Sequence, residues 1–309
     1  MSELAVSPIE TSRSLAREGG DSARPLWLEE LARRCAVHNK TNGPANMSLT
    51  TLESPNDRLV CVRVREAGNL LPRQFEEATV AAYGAIAKEL ATAPARHPVR
   101  FWNYIPDIHC VCDDGLDRYM IFNAGRFEAF RRWLGPENLC QLPTATSIGH
   151  SGADLIIEAL ATDVEGIAVD NPRQIPPVQY SRRYGPRPPC FARATLVRSR
   201  APRLLVGGTA SVVGERSVHH RDLSAQIDET LTNLHSLLAS SGLCQPRVFS
   251  DLRIFHRRPG DVGAIAKAVR RRFLDSTRIE FMRADLCRRE LLVEIEGVVQ
   301  TGVPGDSVG

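Results

Sequence analysis

Two similar stretches decide the fold: Leu-Ile-Ile-Glu at residues 155–158 and Leu-Leu-Val-Glu-Ile-Glu-Gly at residues 291–297. Each begins with a short apolar run, as expected of a buried β-strand, and the run leads into a glutamate. A similar order of predicted strands and helices precedes both stretches, with a steady offset from the second helix of each half onward. We therefore predict an internal duplication, although chance recurrence of a common strand pattern stays open.

The predicted elements alternate along the chain and define an α+β (α/β) fold of two halves, the first of them divergent. In the first half we predict strands at 58–64, 99–108, 144–149 and 153–161, with helices at 72–93 and 125–134. In the second half we predict a hairpin of 193–197 with 203–206, helices at 222–240 and 259–274, and strands at 247–256, 277–284 and 291–299.

Five segments follow from this order. Residues 1–57 form an N-terminal extension that is partly disordered, with a short helix from Trp27 and a polar loop over 38–57. The two halves cover 58–165 and 193–300, and residues 301–309 form a flexible tail. Residues 166–192 join the halves, and their many prolines predict a stiff, extended segment. Because this segment carries tyrosines and arginines, we interpret it as a wall of the site, with a plain linker as the alternative.

The composition favours a small anionic ligand over a macromolecular one. The chain has 309 residues, 43% apolar residues and a net charge of +3, and arginine greatly outnumbers lysine. Guanidinium groups bind carboxylates in a bidentate manner, so this composition is typical of a pocket for an anion and is weak support for nucleic acid. No apolar run is long enough to cross a membrane, and no signal peptide is recognisable. The eight cysteines lack framework spacing, so we expect a reduced, cytoplasmic protein.

The most informative titratable pair is Glu294 and Glu296. Two residues apart on a strand, they face the same side, and like charges there raise at least one pKa. A carboxyl group tuned in this way donates protons at neutral pH. Alternatively, Glu294 is a structural ion-pair partner of Arg278.

Metal and nucleotide sites are not indicated. The Cys-Val-Cys run at 110–112 follows a histidine, but no second pair of ligands has the spacing of a zinc site. The glycine-rich fingerprints of dinucleotide and P-loop sites are absent, as is the Gly-x-Ser-x-Gly motif of serine hydrolases.

Residues 190–300 resemble the Rid (YjgF-like) fold, through Leu-Leu-Val-Gly-Gly-Thr-Ala-Ser at 204–211, Gln226, Asn-Leu at 233–234, Arg278 and Glu294. In that family an arginine near a late strand holds a substrate carboxylate, and an acid on the last strand can activate water.

A wider resemblance covers residues 99–297. It is carried by Arg-Phe-Trp-Asn-Tyr-Ile-Pro-Asp-Ile at 100–108, Asn-Pro-Arg-Gln at 171–174, Tyr-Gly-Pro-Arg-Pro-Pro at 184–189 and Gly-Thr-Ala-Ser at 208–211. These motifs, in this order, resemble the chorismatases. The resemblance implies cleavage of the enolpyruvyl ether of chorismate with release of pyruvate, without a metal or organic cofactor.

The resemblance also implies roles for single residues. Glu294 is the proton donor, and Arg126, Arg193 and Arg278 are carboxylate-binding candidates, with Arg126 at an apparent helix start. Tyr119 and Tyr180 orient the substrate, and Ala210 and Cys287 influence the product, for which we expect 3-hydroxybenzoate. Surface charge for the arginines, and simple packing for Tyr180 and Cys287, remain the alternatives.

Other functions stay open. They are hydrolysis of chorismate to a dihydroxycyclohexadiene carboxylate, a Rid-type imine deaminase that uses Arg278 with Glu294, and an aromatic-acid-binding protein without turnover. The sequence does not decide between a monomer and a homo-oligomer.

Overall fold

The structure is a computed structural model that describes residues 24–42, 46–112, 115–139, 141–200, 202–243, 249–273 and 277–300. The expected disorder of the first residues and the expected flexible tail at 301–309 lie outside the described residues.

The first half consists of α1 (Leu26–Arg34), β1 (Ala36–Asn42), β2 (Met47–Glu53), β3 (Asp57–Val64), α2 (Pro72–Ala91), β4 (His97–Pro106), α3 (Arg118–Leu134), β5 (Thr144–His150) and β6 (Leu155–Thr162). The rest of the chain forms β7 (Gly166–Val169), β8 (Ala194–Val197), β9 (Arg203–Ala210), β10 (Val212–Val213), β11 (Arg216–Ser217), α4 (Leu223–Ser240), β12 (Asp251–His256), α5 (Val262–Arg272), β13 (Arg278–Arg283), β14 (Asp285–Leu286) and β15 (Val293–Gln300).

Both halves have the same strand connectivity. The first sheet has the order β1-β2-β3-β6-β4-β5-β14, and the second, read from its other edge, has the order β7-β8-β9-β15-β12-β13. In the first half β4, which precedes α3, runs parallel to β5 and antiparallel to β6. In the second half β12, which precedes α5, runs parallel to β13 and antiparallel to β15 in the same way. The predicted fold of two similar α+β halves is confirmed. β14 lies in the second half of the sequence but pairs with β5 of the first sheet, so the halves interlock.

Polar side chains fix where the longer helices begin. Asp117 accepts a hydrogen bond from the backbone N–H of Met120 at the start of α3, and Asp222 does the same for Ala225 at the start of α4. Both are N-caps that satisfy otherwise unpaired backbone donors. Because α3 begins at Arg118, two turns before the predicted start, Arg126 lies inside the helix and not at its N-terminus.

Three apolar clusters hold the layers together. One packs α2 and α3 against the first sheet, and a second packs α4 and α5 against the second sheet. The third lies between the two sheets and includes Trp27 and Leu28 of α1. A site between the sheets is therefore screened from water on both sides.

The prediction of a polar loop over 38–57 is wrong, since β1 and β2 extend the first sheet there. The run Met-Ser-Leu-Thr-Thr-Leu-Glu of β2 buries only Leu49 and Thr51 fully, and its other residues are half-buried. Such a strand has little apolar signal of its own and depends on pairing with β3. The segment 166–192 also differs from a plain join, because its first four residues form β7, which pairs with β8.

Candidate active site

A cavity of about 250 Å³ is lined by both halves of the chain and by the Pro-rich segment. The structure brings six of the eight predicted site residues to it: Tyr119, Tyr180, Arg193, Ala210, Cys287 and Glu294. They come from α3, the Pro-rich segment, the residue before β8, β9, the loop before β15 and β15 itself, so only the folded chain assembles them.

Glu294 is the acid that β15 projects into the cavity, and its side chain is only 4% exposed. Burial and the nearby charge of Glu296 raise the pKa of Glu294 to about 8, even though Arg100, Arg193 and Arg288 act in the opposite direction. Desolvation and a like charge both disfavour the ionised form. Glu294 is therefore protonated at neutral pH, with a hydrogen available for transfer.

A glycine bulge makes room for this carboxyl group. Ile295 pairs with Thr209 and Gly297 with Val206, so Glu296 faces two residues of β9, Gly207 and Gly208. A Cβ at Gly208 would lie 1.8 Å from Oε1 of Glu294, and one at Gly207 would lie 2.9 Å from the carbonyl oxygen of Ala145. Only glycine permits this close approach of backbone to side chain.

Arg193 is the cation that comes closest to the predicted role of a carboxylate clamp. It is 7% exposed, and its Nη2 donates to the hydroxyl of Tyr180 at 2.5 Å and to the carbonyl of Ile175 at 3.3 Å. The rings of Tyr180 and Phe191 flank its guanidinium at 5.7 and 5.3 Å. Its Nε is buried without a hydrogen-bond partner in the described part of the chain, so the group has donor capacity left.

Arg288 is a second cation of the cavity and was not among the residues predicted from the sequence. Its guanidinium stacks over Tyr184 at 4.0 Å, and its Nη1 donates to the carbonyl of Glu215 and to the hydroxyl of Ser217. Its position directly after Cys287 was the available signal. The stacking partner lies about a hundred residues away in the sequence, so only the fold reveals the pair.

Cys287 and Ala210 border the acid on two sides. The Sγ of Cys287 lies 4.0 Å from Oε2 of Glu294, and burial raises the pKa of this thiol to about 12. Ala210 is directly opposite Glu294 in the ladder between β9 and β15. Cys287 therefore stays a neutral thiol, and small side chains bound the space nearest to the carboxyl group.

Arg126 lies behind the cavity lining. It is fully buried in α3, between the rings of Phe122 and Phe191, and Phe191 lines the cavity. Its Nη2 donates to Asn123, whereas its Nε and Nη1 have no hydrogen-bond partner among the described residues. A buried guanidinium with unused donors is a ready anion site, although it is reached past Phe191.

Comparison with known proteins identifies the family. Residues 40–161 match the family model described as "Chorismatase FkbO/Hyg5-like, N-terminal". A 3-hydroxybenzoate synthase of Streptomyces hygroscopicus is 37% identical over 251 residues, which cover 75% of this chain and 72% of that protein. The chain belongs to the chorismatase family. A chorismatase of Streptomyces rapamycinicus is 32% identical over 250 residues, which cover 77% of this chain and 72% of that protein. A crystal structure of a chorismatase has a TM-score of 0.75 and 28% identity, covering 85% of this chain and 80% of its own.

One assignment is corrected in this member of the chorismatase family. Arg278 lies outside the cavity, where it forms ion pairs with Glu30 of α1 and Asp251 of β12. Asp251 is opposite Arg278, and Phe255 is opposite Glu294, so four residues of β12 separate them. At about 3.3 Å per residue, Arg278 is roughly 13 Å away along the strand. The interpretation of Glu294 as the ion-pair partner of Arg278 is therefore wrong as well.

Within the described ranges, no group of three or more histidine, cysteine, aspartate and glutamate side chains is arranged to hold a metal ion. No helix in that same part of the chain has the length and apolarity to span a membrane.

Proposed function

We propose that the protein cleaves the enolpyruvyl ether of chorismate into pyruvate and 3-hydroxybenzoate. The observation that carries this proposal is the buried carboxyl group of Glu294, with a pKa that burial raises, in a cavity lined by arginines. A relative that matches three quarters of the chain and is named 3-hydroxybenzoate synthase supports the choice of product.

The chemistry begins with a proton transfer to carbon. The carboxyl hydrogen of Glu294 moves to the terminal methylene carbon of the enolpyruvyl group, whose double bond supplies the electron pair of the new C–H bond. The positive charge left behind is shared with the ether oxygen as an oxocarbenium ion. Glu294 becomes a carboxylate, which stabilises that cation, and a donor with a pKa near the working pH is suited to this step.

Chorismate carries two carboxylates, and the cavity offers cations at more than one place. Arg193 and Arg288 line it directly, and Arg126 has two unused donors behind Phe191. Charge-assisted hydrogen bonds to these groups hold the dianion in position. Such bonds are stronger in a buried site than in water. Tyr119 and Tyr180 orient the ring.

The product depends on what captures the oxocarbenium ion. In the branch to 3-hydroxybenzoate the ring supplies the oxygen, and the atoms of chorismate divide between two products without consuming water. Capture by free water gives a dihydroxycyclohexadiene carboxylate instead. The thiol of Cys287 and the methyl group of Ala210 limit the space for water beside Glu294. We expect Cys287→Ala to raise the hydrolysed fraction of the product.

The deaminase alternative has less support, since Arg278, its expected carboxylate ligand, lies outside the cavity. The test of function is incubation with chorismate, with pyruvate measured by a coupled assay and the ring product by chromatography. In D2O we expect one solvent deuterium in the methyl group of the pyruvate. Tight binding of chorismate without pyruvate would indicate a binding protein and would refute the proposal.

A further inference from the structure

Glu296 is a buried acid near the catalytic carboxyl group that does not line the cavity. It follows Glu294 by two residues on β15, and only 3% of it is exposed. Its Oε2 accepts hydrogen bonds from Nη2 of Arg100 at 2.7 Å and from the hydroxyl of Thr146 at 2.6 Å. Its Oε1 accepts from the indole N–H of Trp102 at 3.1 Å. This carboxylate thus links β15 of the second sheet to β4 and β5 of the first.

The hydroxyl of Thr146 connects Glu296 to the wall of the catalytic site. It donates its one hydrogen to Glu296 and accepts hydrogen bonds from Arg100 at 2.6 Å and from the backbone N–H of Gly208 at 2.9 Å. These three bonds use its whole capacity. Gly208 is also the residue that the carboxyl group of Glu294 touches. Glu296 therefore helps to fix the backbone against which Glu294 rests.

Glu296 also brings a negative charge next to Glu294. Nη1 of Arg253, at 3.8 Å from Oε1 of Glu296, and Arg100 only partly balance this charge at the position of Glu294. Four other groups interact electrostatically with Glu294, namely Arg193, Arg288, Cys287 and Tyr119. The remaining titratable groups around the cavity are Asp117, Tyr180, Tyr184, Arg183, Arg289 and Glu290. Among these charges that of Glu296 is the main opponent of ionisation, second only to burial.

We propose that Glu296 is a positioning residue that, together with Arg100 and Thr146, holds the Glu294 carboxyl group in place and in its protonated form. The inference rests on the proposed role of Glu294 as proton donor. It predicts that a side chain out of reach of the substrate sets the pH range over which the enzyme works.

The experiment is the pH profile of kcat/KM for chorismate in Glu296→Gln, measured between pH 5 and 10. Removal of the negative charge leaves Arg100 unbalanced, so Glu294 loses its proton at lower pH. We expect the alkaline limb to move down by about one pH unit or more. The matched control is Glu158→Gln, which changes another buried acid, on β6 of the first sheet, where it is paired with Arg24. Its limb is expected to stay at the parent position.

A merely structural role would lower the rate equally at every pH, and an unmoved limb in folded Glu296→Gln overturns the inference. Glu296→Asp keeps the charge and serves as the second variant if the first does not fold. We expect the alkaline limb of Glu296→Asp to stay at the parent position while its kcat falls. A shift of that limb to lower pH would also overturn the inference. Glu294→Gln separates the two levels: if it retains activity, the proposed function itself fails, whatever Glu296 does.

Discussion

Substitution of Gly208 by alanine tests the geometry around the catalytic acid. The added Cβ would lie 1.8 Å from Oε1 and 2.8 Å from Cδ of Glu294, whereas real Cβ contacts are essentially never below 3.0 Å. The carboxyl oxygen must therefore move by at least about 1.2 Å. A misplacement of about 1 Å in a catalytic group can cost about 100-fold in rate, which corresponds to roughly 2.7 kcal/mol of activation free energy.

The fold should tolerate the same change far better. The clash involves a side chain that can rotate and not the backbone of another strand, so we expect a loss of about 1 to 3 kcal/mol in the free energy of unfolding. The assay is kcat from pyruvate release at saturating chorismate, with urea unfolding measured on the same sample. Gly84→Ala is the control, because a Cβ at this position in α2 meets nothing within 4 Å and alanine favours a helix. A folded Gly208→Ala variant with a kcat within threefold of the parent would refute the reasoning.

Three further outcomes follow from the buried charges. Because the pKa of Glu294 rises from 4.5 to about 8 on folding, the folded chain holds the extra proton between these values, and the stability of the parent falls as the pH rises through them. In urea unfolding, the free energy of unfolding of Glu294→Gln minus that of the parent should therefore increase by about 2 kcal/mol from pH 5 to pH 7. A difference that stays constant with pH would contradict the raised pKa. Arg24→Gln removes the cation that lies 2.7 Å from the fully buried Glu158, at a cost of about 2 kcal/mol that the double variant with Glu158→Gln should largely recover in the same assay. Arg193→Lys keeps the charge but loses the guanidinium geometry, so kcat/KM should fall about 10-fold or more, and parent-like kinetics would remove Arg193 from the site.

The two similar halves were predictable from the sequence because buried strands carry their own signal. The runs at 155–158 and 291–297 are apolar enough to be recognised without knowledge of their neighbours, and they became the central strands β6 and β15 of the two sheets. β1 and β2 were missed for the opposite reason. They extend the edge of the first sheet, and β2 fully buries only two of its side chains, so pairing with β3 decides this structure more than the local residues do.

The site residues divide along a similar line. Glu294 was recognisable because a carboxyl group on an apolar strand is costly to bury unless it has a partner or a function. This argument does not depend on where the strand lies in the fold. The position of an arginine depends on its partners: Glu30 and Asp251 hold Arg278 away from the cavity, whereas Tyr184 holds Arg288 within it. Those partners are distant in sequence, and no local pattern encodes them.

The network around Glu296 shows what a sequence leaves undetermined even when the right residues are noticed. The sequence placed both acids on one face of a strand, and the structure separates their surroundings. Glu294 faces a cavity, and Glu296 faces Arg100, Trp102 and Thr146. One acid is thereby kept protonated and the other is paired, although they are two residues apart.

The most direct test of the account is the rate of pyruvate release by Glu294→Gln at pH 7, with chorismate binding measured by calorimetry on the same preparation. The glutamine keeps the shape of the side chain but has no acidic hydrogen to give to the methylene carbon. We expect binding close to that of the parent and a rate reduced by about 1,000-fold or more, within the range that general acid catalysis contributes. Pyruvate release at the parental rate would contradict the central claim.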